Sequence, residues 1–571
     1  MKKIISSIVG ILLCFSGFGQ HSTKILSDTT FDHGSNIVFP TLTSQLIDNL
    51  DLLGHVWGFL KYHHPNISQG HYNWDYELFR MLPEYLQITD NQKRDTYLVK
   101  WIQQYGKIRT NNVIIPVDSD AFLKPDLTWI NQERLSPKLY KSLMNVYQHR
   151  NQSIQFYVAY NFYGAKNAKF LHENAYSNMS YPDAGFRLLA VYRYWNMVQY
   201  YFPYKYLMEM DWNDVLKEVI PIMLNASDAK EYFFAIKRMV AKCNDSHGFV
   251  FQNKNVNVSN HIKDVPFRVR FLNKDTLVVL RYFNPEKFVD SYPQIGDIIT
   301  QIDGRPVSEI VDSLVPYYAA SNYNTLLRDI AYNIMRGDKD NVTITFITSK
   351  KSSTSTIQRY PTTDLNYDNY FDDKGTNYQV LTDSVGYVYM RNLTKEYLTV
   401  LFDTLRHTKA AIFDARDGNS LGAFELSQYL ADDVNPIFKV TEPSFKNPGE
   451  FIYSAPIYLK AGKEIYNKKI VVLINEYVQS EGETAVMELL ACTNCCVMGS
   501  CSAGANGNIS KLELPGGIQT MFSGIGIYFP DGRNTQRIGI IPDIYVCPTV
   551  NGLREGRDEV LEKALELLNN E

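Results

Sequence analysis

One pattern constrains the fold of this chain more than any other: six residues that occur twice in the same order. Trp57, Tyr62, Pro65, Trp74, Leu78 and Pro83 return as Trp195, Tyr200, Pro203, Trp212, Leu216 and Pro221, each at an offset of 138 positions (195 − 57). An ungapped match of this kind predicts an internal duplication of a helix–turn–helix unit. The Trp and Tyr residues are core candidates, because large rings bury much apolar area while their polar tips need one partner each. The copies are assigned to residues 40–135 and 184–255, with a connector over 136–183 rich in Tyr, Asn and Ser. Their ends differ. The first runs QQYGKIRTNN and the second AKCNDSHGFVF, so the second alone carries Asp245-Ser246-His247-Gly248.

Beyond the second copy the period changes. FRVRF, TLVVL, IGDIITQIDGRPV and NVTITFI read as short strands around a helix near Leu326 to Met335, a β module over 262–350. From Gly386 onward strands and helices alternate, which predicts an α/β sheet within a domain at 375–550, followed by a C-terminal helix at 551–571. The expected fold class is therefore multidomain α+β.

Within that last domain, Ile470 to Ile474 reads as a buried strand, Asn475 to Gln479 as a polar turn, and Glu483 to Ala491 as a helix. Ser480 falls where strand becomes helix. The unpaired N–H groups at a helix start favour negative charge, which suits a serine nucleophile and the oxyanion it creates. The same residues, Ser480-Glu481-Gly482-Glu483, also spell a capping box, with Ser480 capping the helix and Glu483 reaching back.

The order NE-x-x-x-S-x-x-E, a glycine turn from Gly499 to Gly507, and G-I-I-P-D resembles the carboxy-terminal processing peptidases. The resemblance implies a C-terminal α/β domain of crotonase-like fold, a serine-type peptidase without cofactor or metal, and Ser480 as nucleophile. The bacterial processing branch uses a lysine 25 positions after its serine; here 480 + 25 is Ala505, whose methyl group cannot accept a proton. The Asp245-Ser246-His247 turn is similar to the D-x-H turn of the tricorn-like and retinoid-binding-protein-like branch. That likeness implies His247 as the base, with Ser246 in the site. Gln536 stands where the tricorn branch carries an orienting glutamate, and Asp245 is the acid nearest in sequence. The oxyanion donors implied are the N–H of Glu481 and an N–H near Ser420 or Leu421, after the strand KAAIFDAR, while Glu483 is a cap or a supporting group. Gly296-Asp297 and Asp303-Gly304 resemble the turns of a PDZ domain, which takes a chain end as an added strand; a spacer without ligand is the alternative.

These readings point to a serine peptidase acting on protein or peptide substrates by acyl-enzyme chemistry. The alternative is a peptide- or ligand-binding protein on the same fold, which the Ala505, Ser420 and Gln536 departures favour. A net charge of −4 gives no electrostatic reason to expect nucleic acid. Lys2 and Lys3, the apolar run Ile4 to Phe18, and the small residues Ser16, Gly17 and Gly19 predict a secretory signal peptide over 1–19. The expectation is an exported protein, periplasmic or extracellular, without a membrane span. Leu13 before Cys14 does not fit a lipobox. Four of the remaining cysteines, Cys492, Cys495, Cys496 and Cys501, crowd into CTNCCVMGSC, and a disulfide among them, its pairing open, is expected in an oxidising compartment.

Overall fold

The two tryptophan pairs are built alike. Trp57 and Trp74 each donate an indole N–H to the other's carbonyl, at 3.2 and 2.9 Å. Trp195 and Trp212 do the same, at 2.7 and 3.0 Å. The rings in each pair lie nearly parallel, with centroids 6.4 and 6.3 Å apart. The computed structural model describes residues 28–108, 114–160, 164–252, 262–287, 293–370, 377–381, 384–418, 425–431, 433–462, 465–492 and 495–570. The signal-peptide reading lies outside the described residues.

Around the pairs run helices Ser44–His63, Trp74–Tyr85 and Asn91–Gln103, then Ala184–Tyr201, Trp212–Asn225 and Ala229–Ala241. Each starts on a side chain that accepts from the first turn: Thr43, Asn73, Asp90, Asp183, Asp211 and Asp228. The two long helices are buried on nearly every face and cross where Gly58 meets Asn196. A Cβ at Gly58 would lie 1.8 Å from the Asn196 amide, so only glycine permits this approach. The segment read as a connector is structured, with a helix at Pro137–Gln148 and a hairpin of Val158–Tyr160 against Ala168–Phe170.

The β module is an antiparallel sheet in the order Ser352–Gln358, Asn341–Ile347, Ile298–Ile302, Thr276–Tyr282, Phe267–Asn273, with helix Tyr323–Asn333 packed on it. The C-terminal domain has a sheet in the order Tyr378–Val380, Val385–Tyr389, Ala410–Asp414, Lys469–Ile474, Cys495–Gly499, Ile544–Tyr545. Its first pair is antiparallel and the rest are parallel. Helix Glu481–Leu490 covers one face of this sheet, and helix Glu559–Asn569 the other.

A hairpin of Ile509–Leu514 and Ile518–Ser523 leaves this domain and joins the helical core, where Leu512, Leu514, Ile518 and Phe522 pack among the helices. Strand Val250–Gln252 adds to the hairpin's edge, in the register Thr520↔Val250, Gln519↔Phe251, Ile518↔Gln252. This pairing carries the end of the second helical unit into the C-terminal domain.

Among the described residues no disulfide joins Cys492, Cys495, Cys496 or Cys501, which corrects the expected disulfide. Cys495 and Cys496 are consecutive on one strand, so their side chains point to opposite faces. The Cys492 thiol instead meets the Glu488 carbonyl at 3.4 Å. Among the described residues no helix is long and apolar enough to cross a membrane. Nor do any three His, Cys, Asp or Glu residues there form a group that could hold a metal ion.

Candidate active site

Ser480 ends the turn that leaves strand Lys469–Ile474. Ala503 N–H donates to the Val478 carbonyl at 2.9 Å, and Ser480 N–H donates to the Ala505 carbonyl at 2.9 Å. These two bonds hold Ser480 at φ 57°, ψ −118°, in left-handed backbone space that disfavours any side chain. Helix Glu481–Leu490 begins at the next residue. The Ser480 side chain makes no capping bond. That corrects the capping-box reading, because a capping residue sits in extended conformation and its oxygen reaches the first turn.

Glu483 does not reach back either. Its carboxylate is buried and accepts from Ser502 Oγ at 2.5 Å, Gly504 N–H at 2.8 Å and Ala505 N–H at 3.0 Å. Burial pushes this carboxyl above its ordinary range, against the pull of those donors. Glu483 thus fixes the turn at 502–505, and that turn fixes Ser480. Ala505 itself is fully buried beside the serine. As the first helical residue, Glu481 has no intrahelical acceptor for its N–H. Ser420 and Leu421 lie outside the described residues.

The Asp245-Ser246-His247 turn links helix Ala229–Ala241 to strand Val250–Gln252. Its three residues are buried. Gln479, the neighbour of Ser480, donates its amide to the Ser246 carbonyl at 3.2 Å, so the two distant segments adjoin. His247 Nδ1 lies 2.9 Å from Ser523 Oγ and 3.7 Å from Asp245 Oδ1. His247 Nε2 is buried without a hydrogen-bond partner, so it makes no bond to Ser480. Catalytic hydrogen bonds of this kind often close only around substrate.

Asp245 is fully buried. Burial raises its carboxyl, but His247 and the Ser523 N–H outweigh that and bring it below the ordinary value. Gln536 donates to Asp245 Oδ1 at 3.2 Å and to Ser321 Oγ at 3.4 Å. It therefore braces Asp245. Ser246 pairs reciprocally with Ser321: Ser246 N–H donates to Ser321 Oγ at 2.9 Å, and Ser321 N–H donates to Ser246 Oγ at 2.8 Å.

The β module touches both halves of this arrangement. Asn322 donates to the Ser502 carbonyl at 2.8 Å. Arg328 donates to the Glu476 carbonyl at 2.7 Å and to Gln479 Oε1 at 3.0 Å. Sequence reading missed Ser321 and Ser523, which lie in distant segments and match no motif.

Residues 384–546 match peptidase family S41. This region is an S41 peptidase domain. Members of this family are serine peptidases, hydrolases of protein or peptide substrates. In fold the chain is similar to mature CPAF, at 15% identity over 68% of this chain and 98% of that one, with a TM-score of 0.54. A putative peptidase from Parabacteroides merdae shares 19% identity over 68% and 96% of the two chains, with a TM-score of 0.43. No curated protein matches the chain in sequence. The S41 match spans Ser480 and Gln536 but ends far from Asp245-Ser246-His247 in sequence; the added strand Val250–Gln252 is what joins that turn to the S41 domain.

Proposed function

We propose that this chain is an exported serine endopeptidase or processing peptidase in which Ser480 is the nucleophile and His247 the base. The observation that carries the reading is Ser480 itself, an uncapped serine with a positive φ between strand and helix in an S41 domain. Backbone strain of this kind costs about 1–3 kcal/mol and persists where the surroundings enforce it for function. In the proposed reaction, Ser480 Oγ attacks the peptide carbonyl carbon while His247 Nε2 takes its proton. The proton then passes to the leaving amine, and water releases the acyl group by the same steps in reverse order. The helix-start N–H of Glu481 faces negative charge developing on the carbonyl oxygen, with a second donor near Ser420 or Leu421.

Ala505 supports a Ser/His rather than a Ser/Lys pair, because its methyl group fills the place of the lysine. The sheet and helix between 267 and 358 are read as a PDZ-like module for chain ends, supported by its bonds to Glu476, Gln479 and Ser502. The matched tryptophan pairs support the duplication reading, and the charged-then-apolar leader of residues 1–19 supports export.

The test is fluorophosphonate labelling together with single-turnover cleavage of an unfolded protein. Wild type is expected to label and cleave. Ser480→Ala and His247→Ala should lose turnover about equally, because members of one catalytic unit are not additive. A folded wild type that neither labels nor cleaves would favour the binding-protein alternative instead.

A further inference from the structure

Building on that reading, we propose that Ser523 is a positioning residue, a hydroxyl relay through which Asp245 holds His247 with its hydrogen on Nδ1 and its Nε2 bare. Asp245 has four donors around it. Oδ1 meets Ser523 Oγ at 3.0 Å, the His247 N–H at 3.1 Å and Gln536 Nε2 at 3.2 Å. Oδ2 meets the Ser523 N–H at 2.6 Å. A carboxylate surrounded in this way is ionised and accepts only. The single hydrogen of the Ser523 hydroxyl must therefore point to Asp245.

Ser523 then offers His247 nothing but a lone pair. Nδ1 lies 2.9 Å from that oxygen, so in the hydrogen-bonded state Nδ1 carries the hydrogen. In a neutral imidazole the other nitrogen is then unprotonated. Nε2 is buried and has no hydrogen-bond partner, so no protein donor claims the proton-accepting position. A direct carboxylate contact would fix the same tautomer, but Asp245 Oδ1 stands 3.7 Å from Nδ1, beyond hydrogen-bond length. Ser523 fills the gap. It is fully buried at the end of strand Ile518–Ser523, and both its N–H and its hydroxyl are tied to Asp245. Gln536 contributes by donating to Asp245 Oδ1.

The experiment uses the full chain labelled with 15N-histidine, with His247→Gln identifying the ring signals of His247. At about pH 8, where histidine is ordinarily neutral, the wild-type spectrum is expected to show a protonated Nδ1 and an unprotonated Nε2. Ser523→Ala should give a mixture of tautomers. It should also lower kcat about 10- to 100-fold with KM within about twofold, a part of what general-base catalysis contributes. Ser523→Thr, which restores the hydroxyl, should recover most of that loss. A wild-type ring protonated on Nε2 overturns the relay, whatever the variants do. So does a folded Ser523→Ala protein with unchanged tautomer and unchanged kcat. The two levels separate cleanly: absent fluorophosphonate labelling at Ser480 fails the peptidase reading, while the tautomer still decides the relay.

Discussion

Replacing Ser480 by glycine should stabilise the protein while abolishing its chemistry. Ser480 sits at φ 57°, ψ −118° with no capping bond from its side chain, and strain at such a position costs about 1–3 kcal/mol. Glycine has no Cβ and escapes that cost, but it adds about 0.4–1 kcal/mol of unfolded-state entropy to be lost on folding. The difference leaves Ser480→Gly more stable by roughly 1 kcal/mol. For a domain of this size that raises the unfolding temperature by about 2–4 °C. Ser480→Ala keeps the Cβ and the strain, so its stability should match wild type. A capping serine would behave in the opposite way: alanine would cost about 1 kcal/mol and glycine only a few tenths. The assay is calorimetry of the S41-domain transition in wild type and both variants at one scan rate, with fluorophosphonate labelling in parallel. An alanine variant that loses about 1 kcal/mol, with no gain for glycine, would refute the strain argument and restore the cap.

Three further outcomes follow from the buried helical region. Burial holds the His63 imidazole down at about 3 and His64 at about 4. Both stay neutral in the folded chain at pH 5 but take up protons when unfolded, near about 6.5. Stability is therefore full above that value and falls with acid, by roughly 4 kcal/mol for the pair at pH 5. Because neither ring nitrogen of His64 has a hydrogen-bond partner, His64→Leu should remove about half of that acid loss in denaturant titrations at pH 7 and 5. Trp57→Phe and Trp195→Phe should each cost about 2–4 kcal/mol, through an orphaned carbonyl and lost packing; markedly unequal costs would count against equivalent units. Glu173 neutralises Lys61 at 2.6 Å and Arg193 at 2.9 Å inside the core, beside Asp75. Glu173→Gln should cost about 3–5 kcal/mol, and the double change with Lys61→Met should recover part of it in thermal melts.

The sequence alone determined whatever depends on local pattern or on spacing. The strand ending at Ile474, the turn, the helix after Ser480, and the matched tryptophans were legible because periodicity and punctuation act over a few residues. Asp245 and His247 could be named together because one short turn carries both. The capping box misled because S-x-x-E is a local signal, and tertiary bonds from the 502–505 turn override it by holding Ser480 at positive φ and claiming the Glu483 carboxylate. Ser523 carried no signal at all. It meets His247 across 276 positions, and only through the pairing of strand Val250–Gln252 with a hairpin that itself packs in the helical core. Sequence could name candidates for an acid, a base and a nucleophile. Their hydrogen-bond polarity, and hence which nitrogen of His247 is free to accept a proton, was decided by long-range strand pairing, because a buried hydroxyl takes its direction from the groups packed around it.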